Sequence, residues 1–177
     1  MTQFKTIAYL ARGNARQRRA YRALQSPGIF RILRAYTPIL AGTIPLNIDI
    51  RRSDLDIICE ARDLDAFTRA VTDAFGAQPR FRIKRKSSKG VESVIANFAY
   101  TRFPIEIFGQ PKPVREQNAY RHMVVEARLL QIGGERTRRA IRTSSWCRWI
   151  RIAWNRSFLL PPSAKPNRTG CRCLPRL

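Results

Sequence analysis

Hydrophobic and polar positions along the chain follow both helical and strand periodicity. Apolar residues recur at helical spacing over residues 64–75, where Leu64, Phe67, Val71 and Phe75 share one face. Other segments alternate or are continuously apolar, as is typical of strands. We predict helices at 14–24 and 28–36, strands at 39–42, 47–50 and 54–60, a helix at 64–75, strands at 80–86, 91–99 and 104–109, and a last helix at about 114–132. This order predicts an α/β (α+β) fold, a mixed β-sheet with flanking helices.

Charge divides the chain into two parts. The 177 residues carry a formal net charge of +22. All 12 acidic residues and 23 of the 34 basic ones lie in residues 1–135, so the last 42 residues hold 11 basic residues and no acid. All three tryptophans and three of the four cysteines also lie in this last part. We therefore predict a domain at 1–142 and a basic Trp/Cys/Pro-rich tail at 143–177.

Three interpretations of the tail stay open. A basic, aromatic segment is suited to stacking on bases and neutralising phosphates, or to lying on an anionic membrane surface. A disordered, solvated tail is the second interpretation, although three tryptophans argue against simple solvation. We favour the third, loss of the coding frame near 141–145, because GC-rich DNA read out of frame yields Arg, Pro, Ser, Cys and Trp without acids. Resequencing the gene tests it.

Targeting signals are sparse in the sequence. No run reaches the roughly 18 to 20 apolar residues that a membrane span requires, and the N-terminus lacks the apolar core of a secretory signal. We therefore expect a cytoplasmic protein. The acid-free, arginine-containing first 48 residues leave a mitochondrial transit peptide as an alternative. The cysteines lack a second ligand pair at zinc-like spacing, so we predict no zinc or disulfide framework.

Candidate chemistry centres on three acidic residues of predicted strands. Asp54 and Asp56 alternate along one strand, so they share a face, and Glu106 lies within an apolar strand. Neighbouring carboxylates repel each other, and a hard divalent cation relieves that repulsion. An isolated acidic pair on a half-exposed strand is more often structural. Here the turn at Gly42-Thr43 offers backbone N–H groups and a hydroxyl to phosphate oxygens, so the combination predicts a metal-dependent nucleotidyl-transfer site.

These motifs resemble a known superfamily. The pattern Gly42-Thr43, then Ser53-Asp54-Leu55-Asp56, then Glu106 resembles the DNA polymerase beta-like nucleotidyltransferases, although Thr43 stands where those proteins usually have Ser. Residues 20–142, including 117–123, resemble a bacterial branch called domain of unknown function 4269. The resemblance implies a minimal nucleotidyltransferase-like domain. It also implies that Asp54, Asp56 and Glu106 are catalytic and ligate Mg²⁺ (or Mn²⁺), and that Gly42, Thr43 and Ser53 bind the nucleotide.

The implied reaction transfers a nucleoside monophosphate from an NTP to a hydroxyl acceptor by two-metal catalysis. The acceptor (small molecule, RNA or protein), the NTP and the oligomeric state stay open. Gln117, Arg121 and His122 are candidate substrate contacts. The basic strand at 80–86 is either a solvated outer face or an acceptor or phosphate groove. The alternative function is a catalytically silent nucleotide- or RNA-binding module that keeps the fold.

Overall fold

A five-stranded mixed sheet forms the centre of the structure, a computed structural model that describes residues 4–51, 53–88 and 90–143. Its strands are β1 (Ile39–Ala41), β2 (Leu55–Glu60), β3 (Arg82–Ser88), β4 (Val91–Tyr100) and β5 (Phe103–Gln110). The strand order is β1-β2-β5-β4-β3, with β2 and β5 parallel and the other pairs antiparallel. This arrangement confirms the predicted fold class.

Four helices flank the sheet: α1 (Ala15–Gln25), α2 (Ile29–Ile32), α3 (Leu64–Phe75) and α4 (Asn118–Thr143). Local signals fix their starts. A capping box of Asn14 and Gln17 begins α1, and the Asp63 carboxylate accepts the Ala66 N–H at the start of α3. Gly134 has a φ of +60° and interrupts α4, so this element consists of two helical segments. Short 3₁₀ turns cover Ala8–Arg12, Arg34–Tyr36 and Val114–Glu116.

The two faces of the sheet are buried against different helices. One face, with Ile57 and Ile107, packs on α1, α2 and α3. The other, with Ile58 and Phe108, packs on the buried side of α4. Because alternate strand residues point to opposite faces, Asp56 and Glu106 lie on the α4 side. Apolar residues of the acid-free N-terminal stretch are buried in both of these cores.

Three element predictions need correction. Residues 47–50 form no strand: residues 43–47 turn back on themselves, with the Asn47 N–H bonded to the Ile44 carbonyl, and the following residues have no partner strand. The helix predicted at 28–36 is split into α2 and a 3₁₀ turn. The last helix begins at Asn118, after a 3₁₀ turn, and continues to Thr143. The tail predicted at 143–177 lies outside the described residues from 144 onward.

Among the residues that the structure describes, no helix is both long and apolar enough to cross a membrane.

Candidate active site

Two of the three predicted acidic residues face each other across the central strand pair. Asp56 of β2 and Glu106 of β5 are direct neighbours in the parallel register, and Asp54 immediately precedes β2. Asp56 is only 8% exposed. Because neighbouring residues in register project to the same face, both carboxylates emerge side by side. Strand alternation predicted that Asp54 and Asp56 share a face, whereas the pairing of Asp56 with Glu106 follows from strand order.

The electrostatics of these carboxylates are unfavourable without a cation. Burial, followed by the negative charges of Asp54 and Glu106, raises the pKa of Asp56 well above its usual range. Burial and the charge of Asp54 raise the pKa of Glu106 to about 7, against an opposing effect of Lys84. All three carboxylates therefore act on one another. Crowded like charges of this kind are characteristic of functional sites.

A glycine makes room for the buried carboxylate. Gly42 follows β1 with a φ of +92°, a conformation that L side chains rarely adopt. A Cβ at this position would overlap Oδ2 of Asp56, the residue paired with Ala41 in the β1–β2 ladder. The sequence predicted Gly42 as a residue that lets phosphate approach the backbone. The structure indicates a second role, because glycine leaves room for the Asp56 carboxylate in the position that it occupies here.

The predicted nucleotide-binding residues Thr43 and Ser53 lie together beside this glycine. The Thr43 hydroxyl donates to Ser53 Oγ at 3.0 Å, and the same oxygen accepts the Ile50 N–H at 3.0 Å. Ser53 thereby closes the loop that joins β1 to β2. The two hydroxyls are placed next to the acidic strand, although their contact with a nucleotide stays a prediction.

An ion pair that the sequence analysis missed holds this loop against α1. Arg16 Nε lies 2.9 Å from Asp49 Oδ2, and Arg16 Nη2 donates to the Ser53 carbonyl at 3.1 Å. Burial raises the pKa of Asp49, while the charges of Arg16 and Arg142 oppose that shift. Residues 16 and 49 are separated by 33 positions with no motif between them, so no local signal indicated the pair.

The polar environment of Glu106 extends across the sheet. Asn97 of β4 pairs with Glu106, and its Nδ2 donates to Glu106 Oε2 at 3.2 Å. Arg82 of β3 pairs in turn with Asn97, and Lys84 is also exposed on this strand. Both interpretations of the basic strand stay open. The effect of Lys84 on the pKa of Glu106 supports a basic groove that adjoins the carboxylates.

The structure places Gln117 away from the acidic residues. Its side chain is 1% exposed, and Nε2 donates to the carbonyls of Cys59 at 2.9 Å and Lys112 at 3.0 Å. Cys59 lies three residues beyond Asp56, about 10 Å farther along the strand. Gln117 therefore secures the start of α4 to the far end of β2. Its contact with substrate remains a prediction that this position does not support.

Arg121 and His122 are exposed on the first turns of α4. Partial burial and the neighbouring charge of Arg121 lower the pKa of His122. A role of either residue in substrate contact stays a prediction.

Oxygen donors at the site suit a hard divalent cation. Asp56 and Glu106 provide two adjacent carboxylates, Asp54 adds a third negative charge, and a bound cation would relieve the repulsion that raises their pKa values. As the side chains stand, no three His, Cys, Asp or Glu residues in the described part of the chain form a group that could hold a metal ion. The carboxylates offer the oxygen donors that a hard divalent cation prefers, but in the described part of the chain they do not form a complete ligand group.

Comparison with solved structures shows that the fold, a mixed sheet with flanking helices, resembles that of a known protein complex. The GLD-2/RNP-8 complex matches with a TM-score of 0.50 at 13% identity, covering 88% of this chain and 58% of that chain. The chain belongs to the family described as domain of unknown function (DUF4269), which matches residues 22–145. No curated protein shows a significant match.

Two further solved structures are similar at lower scores. A cytoplasmic RNA terminal U-transferase gives a TM-score of 0.48 at 14% identity and covers 73% of this chain and 38% of that chain. The Cid1 poly(U) polymerase with MgGTP bound gives 0.45 at 14% identity, with 73% and 40% covered. The chain therefore spans less than two thirds of the length of each of these structures. At such low identity the likeness concerns the fold alone.

Proposed function

We propose that this protein transfers a nucleoside monophosphate from an NTP to a hydroxyl-bearing acceptor. The observation that carries the proposal is the pairing of Asp56 with Glu106 in the parallel β2–β5 register, beside Gly42 and with the charge of Asp54 acting on both. This concentration of carboxylates is costly unless a cation and a phosphate chain meet there. Two strands that pair for structural reasons alone do not need several carboxylates so close together.

Asp54, Asp56 and Glu106 are the residues that would hold Mg²⁺ or Mn²⁺. When bound, the metal would neutralise negative charge on the phosphates and increase the acidity of the attacking hydroxyl. Gly42, Thr43 and Ser53 would orient the phosphate chain through backbone N–H groups and hydroxyls. Lys84, which already acts on Glu106, would attract the polyphosphate to this end of the sheet.

The chemical step is an in-line displacement at the α-phosphorus. A bond forms between the acceptor oxygen and the α-phosphorus, the bond from that phosphorus to the bridging oxygen of the β-phosphate breaks, and pyrophosphate leaves with the bonding electrons. Glu106, oriented by the hydrogen bond from Asn97, would accept the proton of the acceptor hydroxyl. The main contribution of the protein is positioning and electrostatic stabilisation.

Calorimetric titration tests the donor site directly. ATP, GTP, CTP and UTP are titrated with and without Mg²⁺ into the wild type and into the Asp54→Asn/Asp56→Asn variant. We expect one or more nucleotides to bind only with Mg²⁺, and binding to be lost in the variant. A matched control, Asp73→Asn/Glu92→Gln, makes the same charge change at exposed positions and should bind as the wild type does.

The silent binding module is the second candidate, and one observation favours it: the described residues contain no preformed group of three metal ligands. Nucleotide or RNA binding that is indifferent to both Mg²⁺ and the carboxylates would favour this candidate and contradict the enzyme. Binding that requires both would support the enzyme and justify a search for the acceptor.

A further inference from the structure

A cavity of about 330 Å³ lies between α1 and the turn that joins β4 to β5. Arg19, Arg22 and Arg102 are exposed at its edge, whereas Ala23 and Phe103 are buried and form an apolar floor. Ligand pockets begin at about 300 Å³, so the cavity is large enough for a small ligand or for one unit of a larger one. It combines positive charge with an apolar surface.

The arginines of the cavity have no counter-ion within residues 4–51, 53–88 and 90–143. None of the ion pairs or side-chain hydrogen bonds of this part of the chain involves their guanidinium groups, and no acidic residue lines the cavity. Guanidinium groups bind phosphate through paired N–H donors, and they do so more specifically than lysine. Three of them around one cavity favour an anion of this kind.

Arg16 connects the cavity to the acidic strand. It lies one turn before Arg19 on α1, its guanidinium carbon is 5.3 Å from the centre of the Phe103 ring, and it donates to the Ser53 carbonyl. Phe103 begins β5 three residues before Glu106, a distance of about 10 Å along the strand. Because successive strand residues point to opposite faces, the side chains of Phe103 and Glu106 lie on opposite faces of the sheet. The cavity and the carboxylates therefore lie on opposite faces of the sheet, near the end at which β5 begins.

We propose, on the basis of the function proposed above, that this cavity binds a phosphate group of the acceptor substrate. The three arginines hold the phosphate, and the adjoining sugar or base rests on Phe103. The acceptor then extends around the ends of β2 and β5, past Ser53, and presents its hydroxyl to the site of Asp54, Asp56 and Glu106. This path is longer than a single sugar phosphate, so it assigns the acceptor to nucleic acid.

Binding to an arginine variant of the cavity tests the assignment. A fluorescein-labelled single-stranded RNA tetranucleotide is followed by anisotropy, and glucose 6-phosphate, with glucose as its uncharged counterpart, by calorimetry. The variant is Arg19→Gln/Arg102→Gln, which removes one guanidinium from each side of the cavity. The control, Arg69→Gln/Arg128→Gln, makes the same charge change at exposed positions on α3 and α4. Thermal unfolding establishes that both variants stay folded.

We expect the Kd of the tetranucleotide to rise at least tenfold in the cavity variant and less than twofold in the control. A response of glucose 6-phosphate alone would overturn the proposal, because that molecule is too short to extend from the cavity to the carboxylates. No binding of either probe, or equal weakening in both variants, would overturn the proposal, because general charge would then explain any affinity.

Mg²⁺-dependent NTP binding to the same variants separates this proposal from the function on which it rests. Retained NTP binding together with lost probe binding in the cavity variant supports both. NTP binding without any cavity effect leaves the proposed function standing and removes the acceptor site. A cavity effect without Mg²⁺-dependent NTP binding overturns the proposed function and with it the acceptor role, since the cavity would then be an anion site of another purpose.

Discussion

The most informative single change is Glu106→Gln, because it removes a buried charge while keeping the shape of the side chain. The amide oxygen of Gln can still accept the hydrogen bond from Asn97 Nδ2. The substitution therefore isolates the cost of ionising Glu106 beside Asp54 and Asp56. That cost is the physical premise of the proposed metal site, and it is measurable without knowledge of the substrate.

The size of this ionisation cost follows from the shift in the pKa of Glu106. The pKa of Glu106 rises from 4.5 to about 7 in the folded protein. At about 1.4 kcal/mol per pKa unit, ionisation of Glu106 lowers the free energy of unfolding by roughly 3 kcal/mol. The folded chain binds more protons than the unfolded chain between these two values. Stability due to this group is therefore present below about pH 4.5 and is lost as the pH rises through about 7.

Urea unfolding from pH 4.5 to 8.5, with EDTA present, measures this loss. We expect the wild type to lose stability over that range and the Glu106→Gln variant to lose about 3 kcal/mol less. A Glu92→Gln control, at an exposed position on β4, should follow the wild type. When Mg²⁺ replaces EDTA in the buffer, the wild type should regain stability at high pH because Mg²⁺ binds the folded state, and the Glu106→Gln variant should regain less. Parallel pH profiles for all three proteins would refute the argument.

Three further predictions concern the surroundings of the site. Gly42→Ala should lower the free energy of unfolding and abolish Mg²⁺-dependent NTP binding, because the alanine Cβ displaces the Asp56 carboxylate. The control is Gly90→Ala, where φ is +77° and the surrounding space is open, and it should show only the backbone cost of about 1–2 kcal/mol. Gln117→Ala should lower the free energy of unfolding in urea by about 1–3 kcal/mol, since two carbonyls lose their donor, and it should leave NTP affinity unchanged. A large loss of NTP affinity with normal stability would contradict the structural role that we assign to Gln117. Arg16→Met should cost about 3 kcal/mol at pH 8 and less at lower pH, because the pKa of Asp49 is raised and its carboxylate takes up a proton as the pH falls; a pH-independent loss would argue against the ion pair.

Elements with local signals were predictable from the sequence. The helix at 64–75 was predicted at its observed bounds because its apolar residues recur at helical spacing, and the structure shows that Asp63 caps its start. Residues 47–50 show the opposite case. Their apolar and polar alternation resembles a strand, but a strand exists only where a partner offers hydrogen bonds, and none is adjacent here. The length of α4 was equally underestimated, because its second segment follows an interruption at Gly134.

By itself the sequence predicted which residues could carry the chemistry, and it placed Asp54 and Asp56 on one face of their strand, because a strand has a fixed period of two. Only the tertiary structure decided that Glu106 lies opposite Asp56, since that neighbour is set by the order of β2 and β5 in the sheet. Tertiary structure also decided that the Asp56 carboxylate fills the space beside Gly42 and that Arg16 pairs with Asp49. Periodicity is a property of a few consecutive residues. Contacts between distant segments depend on how the whole chain packs, and this packing brings the carboxylates close enough to raise each other's pKa.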